Sequence, residues 1–351
     1  MTGFVRWMAL AGLAAFAGVA LSAGAQAQGF DHEAYLQKLA ADAKAKGQTE
    51  VTMYSNNSQQ FGEIFSTFTE KFGIEVAVTD MFGPPLVARL DAEYGTGNIQ
   101  ADILMSGVSD LIVFRERGWL EPFVPDNAEG LDPGLIGPEN LWFSFAVLPL
   151  GTIVNTSLVK PEDYPKNWAD HVTERWQGKI GMNNPSASSG LSQGVGALLE
   201  HGVIDEEWLR SLAALKPLIA PGAVAAMQMV ASGQMELAPL TSTNIFIDAK
   251  GKGAPLAFML QEDGYAALPA PVGLAAKAPR PEAAKLLLAY FLTPECQALF
   301  TKSGQPGSMP GAPGLDWLPE LEKFPRKVMT FEFLSEKYGP MLENNKKIFG
   351  N

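Results

Sequence analysis

Residues 50–73 read EVTMYSNNSQQFGEIFSTFTEKFG and predict a strand, a polar loop and a helix in succession. The strand covers residues 50–54, and the polar loop follows at 55–58. Beyond the loop, apolar side chains recur at helical spacing, which predicts a helix with one buried face: Phe61, Ile64, Phe65, Phe68 and Phe72. Gly73 is typical of the residue that ends such a helix.

The same alternation of strands and helices continues on both sides of this segment. A helix is predicted at residues 31–46, and further strands at 74–79, 101–105, 152–155, 179–182, 235–240, 254–260 and 268–274. Helices with proline in the first turn are predicted near residues 84, 281 and 294. This pattern predicts a parallel, doubly wound α/β sheet. Residues 311–351 are expected to form a helical tail packed on the surface.

Length and composition exclude several classes of protein. A chain of 351 residues suggests about two globular domains, at about 100–200 residues each. The net charge of −12 argues against nucleic-acid binding, which needs clustered Lys and Arg. A single cysteine, Cys296, forms no internal disulfide, and three scattered histidines indicate no metal cluster: His32, His171 and His201.

The first 27 residues have the pattern of a secretory signal peptide. One basic residue, Arg6, precedes an apolar run at 7–21 and a segment of small residues at 22–27. Cleavage after Ala25 and cleavage after Ala27 both fit the small residues that precede them. The apolar run is shorter than the ~20 residues that span a bilayer, so we expect an exported protein in the periplasm, with the signal peptide cleaved.

Four strand-to-helix junctions carry hydroxyl and amide side chains. In open α/β sheets, ligands bind beyond the carboxyl ends of the strands, and helix N-termini there favour an anion. Each loop taken alone is more typical of ordinary helix capping, but four such loops, each after a strand, favour a binding site. The predicted ligand-binding residues are Ser55, Asn56, Asn57, Ser58, Ser106, Ser186, Ser188, Ser189, Thr241, Ser242, Thr243 and Asn244.

Other candidate residues have structural interpretations that are at least as good. Arg89 could hold a carboxylate or phosphate, or form an ion pair with Asp91 or Glu93. Residues 142–145 contain aromatic side chains for which core packing is favoured over a ligand cleft. Residues 183–190 do not form a Gly-x-Ser-x-Gly elbow, and no histidine lies in a comparable loop, so we predict that the chain is not an enzyme.

The ordered set of motifs resembles the periplasmic solute-binding proteins of ABC importers. The resemblance covers about residues 49–305. It is closest to the branch of ferric-ion, phosphonate, sugar-phosphate and thiamine binders. The motifs that carry it lie at residues 51–55, 101–103, 116–122, 154–156, 176–185, 230–233, 281–285 and 292–295.

This resemblance implies a two-lobe periplasmic-binding-protein fold of type II. Its two α/β lobes are joined by two crossing strands that act as a hinge, and the ligand cleft lies between the lobes. We expect lobe one at 48–147 plus 268–310 and lobe two at 148–267, with hinges near 148–151 and 266–269. Ser55, Asn56, Asn57 and Ser58 would then face the candidate residues of lobe two across the cleft.

One departure from the family bears on the ligand. Ferric binders of this branch carry two adjacent tyrosines in the second lobe, whereas residues 240–246 here read LTSTNIF. Hydroxyl and amide groups are poor ligands for ferric iron, so no metal site and no cofactor are predicted. The expected ligand is a small organic anion, such as a phosphonate or phosphate ester.

Three functions therefore remain open from the sequence. The leading hypothesis is a monomeric receptor that delivers a small-molecule solute to an inner-membrane ABC permease, with a ferric ion or another cation as the alternative cargo. A secreted hydrolase on the same two-lobe fold is the second hypothesis. The third is a soluble sensor that presents its ligand to a membrane receptor.

Overall fold

The computed structural model describes residues 30–55, 61–318 and 321–350. Its α-helices are α1 His32–Ala45, α2 Gly62–Phe72, α3 Gly83–Thr96, α4 Val108–Glu116, α5 Gly190–Glu200, α6 Glu206–Ala214, α7 Ala223–Ala231, α8 Thr243–Gly251, α9 Pro281–Phe291, α10 Pro294–Lys302 and α11 Tyr338–Phe349. Its strands are β1 Glu50–Ser55, β2 Glu75–Asp80, β3 Ile103–Met105, β4 Leu120–Glu121, β5 Phe143–Asn155, β6 Gly181–Asn183, β7 Leu218–Ala220, β8 Leu237–Ser242, β9 Leu256–Met259, β10 Tyr265–Ala275 and β11 Arg326–Lys327. Short 3-10 helices lie between several of these elements, and Phe333–Lys337 forms a π-helical turn. The predicted signal peptide lies outside the described residues.

The predicted strand and the Phe-rich helix that open this segment are confirmed, whereas residues 56–60 between them lie outside the described residues. In α2, Ile64, Phe65 and Phe68 are buried, as the helical spacing of apolar residues requires. The helix ends at Gly73, whose φ of 68° is the left-handed conformation that glycine adopts without steric cost. The Gly73 N–H donates to Thr69 O, which satisfies one of the last helical carbonyls.

The main sheet is mixed, so the prediction of a parallel sheet is only partly right. Its strand order is β2-β1-β3-β10-β5-β8, and within that order only the β2-β1-β3 part is parallel. The short β11 also pairs parallel with β10, and β6 and β7 form a separate parallel pair. Strand β10 is antiparallel to both β3 and β5, and β5 is antiparallel to β8 and β9. Strand β5 carries the chain from the first half of the sheet to the second, and β10 carries it back. Because these neighbouring strands run in opposite directions, they pair antiparallel.

The two long strands mark a change of hydrophobic core. One core cluster contains Val147 of β5 and Ala267 of β10, together with buried residues of α1, α2, α9 and α10. A second cluster contains Leu150 of β5 and Ala266 of β10, together with α5, α6 and the β6 strand. Since successive strand residues point to opposite faces, the same strands contribute to both cores. The chain from His32 onward nevertheless forms one compact unit.

The C-terminal segment is more integrated than a surface tail. Strand β11 pairs with β10 at Tyr265 and Ala266, so the segment extends the main sheet. Leu334, Tyr338 and Met341 are buried in the second core cluster, and α11 packs against α5 and α6. Their spacing of i, i+4 and i+7 is one apolar helix face, which explains why the segment docks rather than lying loosely on the surface.

Among the described residues, no helix has both the length and the apolar character needed to cross a membrane.

Candidate functional site

Two of the predicted residues lie at the carboxyl end of the parallel strands. Ser55 ends β1 and Ser106 follows β3, and both side chains are buried. The Ser55 hydroxyl lies 3.5 Å from Met105 Sδ. The Ser106 hydroxyl donates to the Asp110 carboxylate, which also accepts the Gly83 N–H at 3.1 Å. These contacts bring together the segments that follow β1, β2 and β3 at one edge of the sheet. Asn56, Asn57 and Ser58 lie outside the described residues.

An exposed aromatic side chain that is not among the predicted ligand-binding residues lies at the same edge. Phe82 is 65% exposed, in the turn between β2 and α3. The turn is held next to the end of β1, because the Met81 N–H donates to Ser55 O at 2.8 Å. Large apolar side chains are usually buried, so a Phe exposed beside a predicted site is a candidate contact for a ligand. Its position directly before Gly83 and the two prolines was the sequence signal, and Gly83 adopts a φ of 62° in the turn.

The loop between β6 and α5 brings three predicted serines together. Ser189 caps α5 by accepting the Ser192 N–H, and Asn183 Nδ2 donates to Ser189 Oγ at 3.2 Å. Ser188 is exposed. The Ser186 hydroxyl oxygen is buried without a hydrogen-bond partner, although such groups usually have one. This loop therefore combines a helix N-terminus capped by Ser189, an unpaired Ser186 hydroxyl and no carboxylate.

Helix α11 supports this loop from behind. Tyr338 Oη lies 2.7 Å from Ser192 Oγ and 3.5 Å from Ser188 Oγ. Asn345 Nδ2 donates to Pro185 O at 2.9 Å, within a buried contact. These supporting residues are about 150 positions away in the chain, so no local sequence pattern indicates them.

The fourth predicted loop, residues 241–244, is largely a strand end and a helix start. Thr241 and Ser242 belong to β8, and α8 begins at Thr243. The Thr243 hydroxyl is buried and donates to Gly304 O at 3.1 Å, so it anchors α8. The Ser242 hydroxyl donates to Asn244 Oδ1 at 2.6 Å. The strand extends two residues further than predicted because Ser242 and Thr241 pair with Leu150 and Gly151 of β5.

The alternative candidates have structural roles. Arg89 pairs with Glu93, which also accepts the Tyr54 hydroxyl; burial and Glu93 raise the pKa of Tyr54 to about 12. The aromatic side chains of residues 142–145 are buried in the cores.

Among the histidines, His171 is fully buried. Its Nε2 lies 2.7 Å from Thr152 Oγ1 and its Nδ1 lies 3.1 Å from Asn167 O. Burial lowers the pKa of His171 to about 4, so the ring is neutral at pH 7. A carbonyl oxygen only accepts, so Nδ1 donates to Asn167 O and Nε2 accepts from Thr152. Both ring nitrogens are thus occupied, and His171 is not placed to act as a base for the serines.

Within the described ranges, no three His, Cys, Asp or Glu side chains lie close enough to hold a metal ion.

Comparison with known proteins gives a consistent set of relatives. Residues 63–326 match the family described as bacterial extracellular solute-binding protein. A probable ABC transporter periplasmic-binding protein of Sinorhizobium fredii is 24% identical over 164 residues, which are 45% of this chain and 45% of that protein. The chain thus spans under half the length of this curated relative.

Solved structures share the fold. Ferric iron-binding protein A of Mannheimia haemolytica, in an open conformation, superposes with a TM-score of 0.73 at 16% identity, covering 86% of this chain and 99% of that one. Iron-bound HitA of Pseudomonas aeruginosa gives 0.68 at 21% identity, with coverages of 86% and 99%. The substrate-binding protein of an ABC transporter from Agrobacterium tumefaciens gives 0.68 at 16% identity, with coverages of 86% and 94%. The predicted two-lobe α/β fold is confirmed by these matches.

Proposed function

The chain belongs to the family of bacterial extracellular solute-binding proteins, and on that premise we propose that it is the solute receptor of an ABC importer. It would be exported by the predicted signal peptide, act in the periplasm as a monomer, and deliver its solute to an inner-membrane permease. The match to a periplasmic-binding protein of an ABC transporter supports this role.

We propose a small organic anion, such as a phosphonate or phosphate ester, as the solute. The observation that carries this proposal is the loop between β6 and α5, where the Ser186 hydroxyl has no partner and lies just before the N-terminus of α5, the positive end of the helix dipole. No Asp or Glu occurs at residues 183–190 or at 241–244, so an anion meets no like charge there. Phe82 would contact the organic part of such a solute.

The binding mode that we propose is closure of two lobes. The proposed bounds are 48–147 plus 268–310 for lobe one and 148–267 for lobe two, with hinges near 148–151 and 266–269. The change of core cluster between Val147 and Leu150 supports the first hinge. The packing of α1 on α9 supports adding residues 32–45 to lobe one, and the burial of Tyr338 and Met341 in the second core cluster supports adding α11 to lobe two.

A ferric ion is the alternative cargo, because iron-binding proteins share the fold. The absence of tyrosine at residues 240–246 disfavours it. A hydrolase is disfavoured by the histidines: besides His171, the His201 Nε2 is 3.0 Å from Val328 O and so already donates to a carbonyl. A sensor would use the same site, so only a cellular uptake assay distinguishes it from an importer.

A thermal-shift panel tests the proposed ligand class. Phosphonates and phosphate esters are compared with ferric citrate, sugars and polyamines, each with the purified protein. A solute at 100 times its Kd stabilises the native state by about 2.7 kcal/mol, so a true ligand gives a clear rise in Tm. We expect that rise with an organic anion. A rise with ferric iron alone would overturn the anion proposal, and turnover of an ester would overturn the assignment as a pure receptor.

A further inference from the structure

A cavity of about 460 Å³ lies apart from the strand-end loops. It is bounded by a glycine- and proline-rich segment at residues 306–314, by residues 130–132, and by the first residues of β10 and β11. It shares no lining residue with the predicted site, and its volume is within the range of about 300–1,000 Å³ that is typical of small-molecule sites.

One wall of the cavity is fixed by a buried glutamine. Gln297 Nε2 donates to Phe145 O and Phe291 O, at 2.8 and 2.7 Å, and Gln297 Oε1 accepts the Met309 N–H at 2.9 Å. A side chain at Gly307 would place its Cβ 2.2 Å from Gln297 Oε1, so the segment passes Gln297 as closely as only glycine allows. Thr301 Oγ1 also donates to Pro313 O at 2.9 Å. The cavity is therefore preformed.

Two residues that line this cavity have hydroxyl groups without protein partners. Ser308 is 5% exposed, and its hydroxyl oxygen is buried with no partner. The Tyr265 hydroxyl has no hydrogen bond within the part of the chain that the structure describes, although the residue is 3% exposed. Buried hydroxyls are usually paired, so the unpaired Ser308 hydroxyl is unusual. Together with the Tyr265 hydroxyl it gives this cavity two hydroxyl groups that can bond to a ligand.

The charges at this cavity form one opposite pair. Arg326 Nη2 lies 3.3 Å from Asp132 Oδ2, and within the described ranges the guanidinium has no other hydrogen-bond partner. A guanidinium has five N–H donors, so most of them remain available. An anion bound by Arg326 would lie next to the negative charge of Asp132, and a cation bound by Asp132 would lie next to the positive charge of Arg326. A ligand with a single charge is therefore repelled by one of the two residues. A ligand with both charges meets an opposite charge at each end.

We propose that this cavity is a second binding site, for a small zwitterion of the α-amino-acid class. Arg326 receives the carboxylate, in the bidentate geometry that guanidinium groups favour. Asp132 accepts from the ammonium group, and the Ser308 and Tyr265 hydroxyls complete the polar contacts. The proposal does not depend on the identity of the transported solute.

Calorimetric titration of the purified protein with glycine, alanine, serine and glutamate tests the proposal. Acetate and methylamine are the single-charge arms, and we expect each to bind at least about tenfold more weakly than the best amino acid, since each lacks one charge-assisted hydrogen bond. Arg326→Gln should weaken binding by about tenfold or more for the same reason. Ser308→Ala should weaken binding severalfold without lowering Tm, because its hydroxyl has no partner to lose.

Arg115→Gln is the matched control. Arg115 pairs with Glu139 in the first half of the chain and is 33% exposed, against 26% for Arg326, but it lies outside the cavity lining. Binding should survive Arg115→Gln. The proposal is overturned if no amino acid gives saturable binding, or if Arg326→Gln leaves the affinity unchanged. It is also overturned if Ser186→Ala, and not Arg326→Gln, weakens amino-acid binding, because that result places the amino acid in the strand-end site.

Discussion

Substitution of Ser186 should change ligand affinity without changing stability. It has no hydrogen-bond partner, so Ser186→Ala should leave the free energy of unfolding unchanged or slightly higher. If Ser186 contacts the solute, the same change weakens affinity by about tenfold per lost hydrogen bond, at about 1.4 kcal/mol for each factor of ten. Titration calorimetry and urea unfolding measure the two effects.

Ser189→Ala provides the contrast, because loss of the α5 cap should cost about 1 kcal/mol of stability. Ser232→Ala, an exposed serine at the end of α7, should change neither affinity nor stability appreciably. Unchanged affinity in Ser186→Ala would remove this loop from the site.

His171 makes the stability depend on pH. The folded-state pKa of about 4 lies below the unfolded value of 6.5, so between these values the unfolded chain binds more protons. The contribution of His171 is present above pH 6.5 and is lost as the pH falls toward 4. From pH 7.5 to 4.5 that loss amounts to about 2 kcal/mol.

Urea unfolding of the wild type and of His171→Gln at these two pH values checks the prediction. The wild type should lose about 2 kcal/mol more than the variant, since glutamine does not titrate. An equal loss in wild type and His171→Gln would show that carboxylates alone set the acid sensitivity.

At the level of elements, Arg280 joins α9 to the parallel strands. Arg280 Nε donates to Asp102 at 2.8 Å, Nη1 to Glu50 at 2.6 Å and Nη2 to Thr52 at 2.7 Å. Asp102 is fully buried, so Arg280→Ala leaves an uncompensated charge, which should cost about 3–5 kcal/mol. Denaturant unfolding measures it. Arg210→Ala breaks an exposed ion pair with Glu206 and should cost under about 1 kcal/mol. Equal costs for the two variants would contradict this account of the sheet.

The docking of α11 behind the β6–α5 loop should affect both stability and affinity. Tyr338→Phe removes the hydroxyl that lies 2.7 Å from Ser192, which should cost about 1 kcal/mol and loosen the loop. Tyr164→Phe is the control, because the structure gives the Tyr164 hydroxyl no partner among the described residues. Unfolding and ligand titration of both variants decide the point. A lower stability with unchanged affinity would limit α11 to a role in folding.

Sequence patterns predicted the elements better than the way the elements pair. The Phe spacing of α2 and the prolines in the first turns of α3, α9 and α10 are local patterns, so these helices could be predicted from the sequence. The antiparallel pairing of β5 with β10 joins residues about 120 positions apart, and no local pattern encodes it. The site follows the same rule: the capping role of Ser189 was predictable, whereas its support by Tyr338 was not.

For the whole molecule, the central claim is that two lobes close on a solute held by the strand-end loops. The most direct measurement is small-angle X-ray scattering of the purified protein, with and without the solute that raises its Tm most. Hinge closure predicts a smaller radius of gyration in the presence of solute. The Ser186→Ala variant should show little change at a solute concentration below its own, higher Kd, because it stays mostly unbound. An identical radius with and without a saturating solute would contradict the claim.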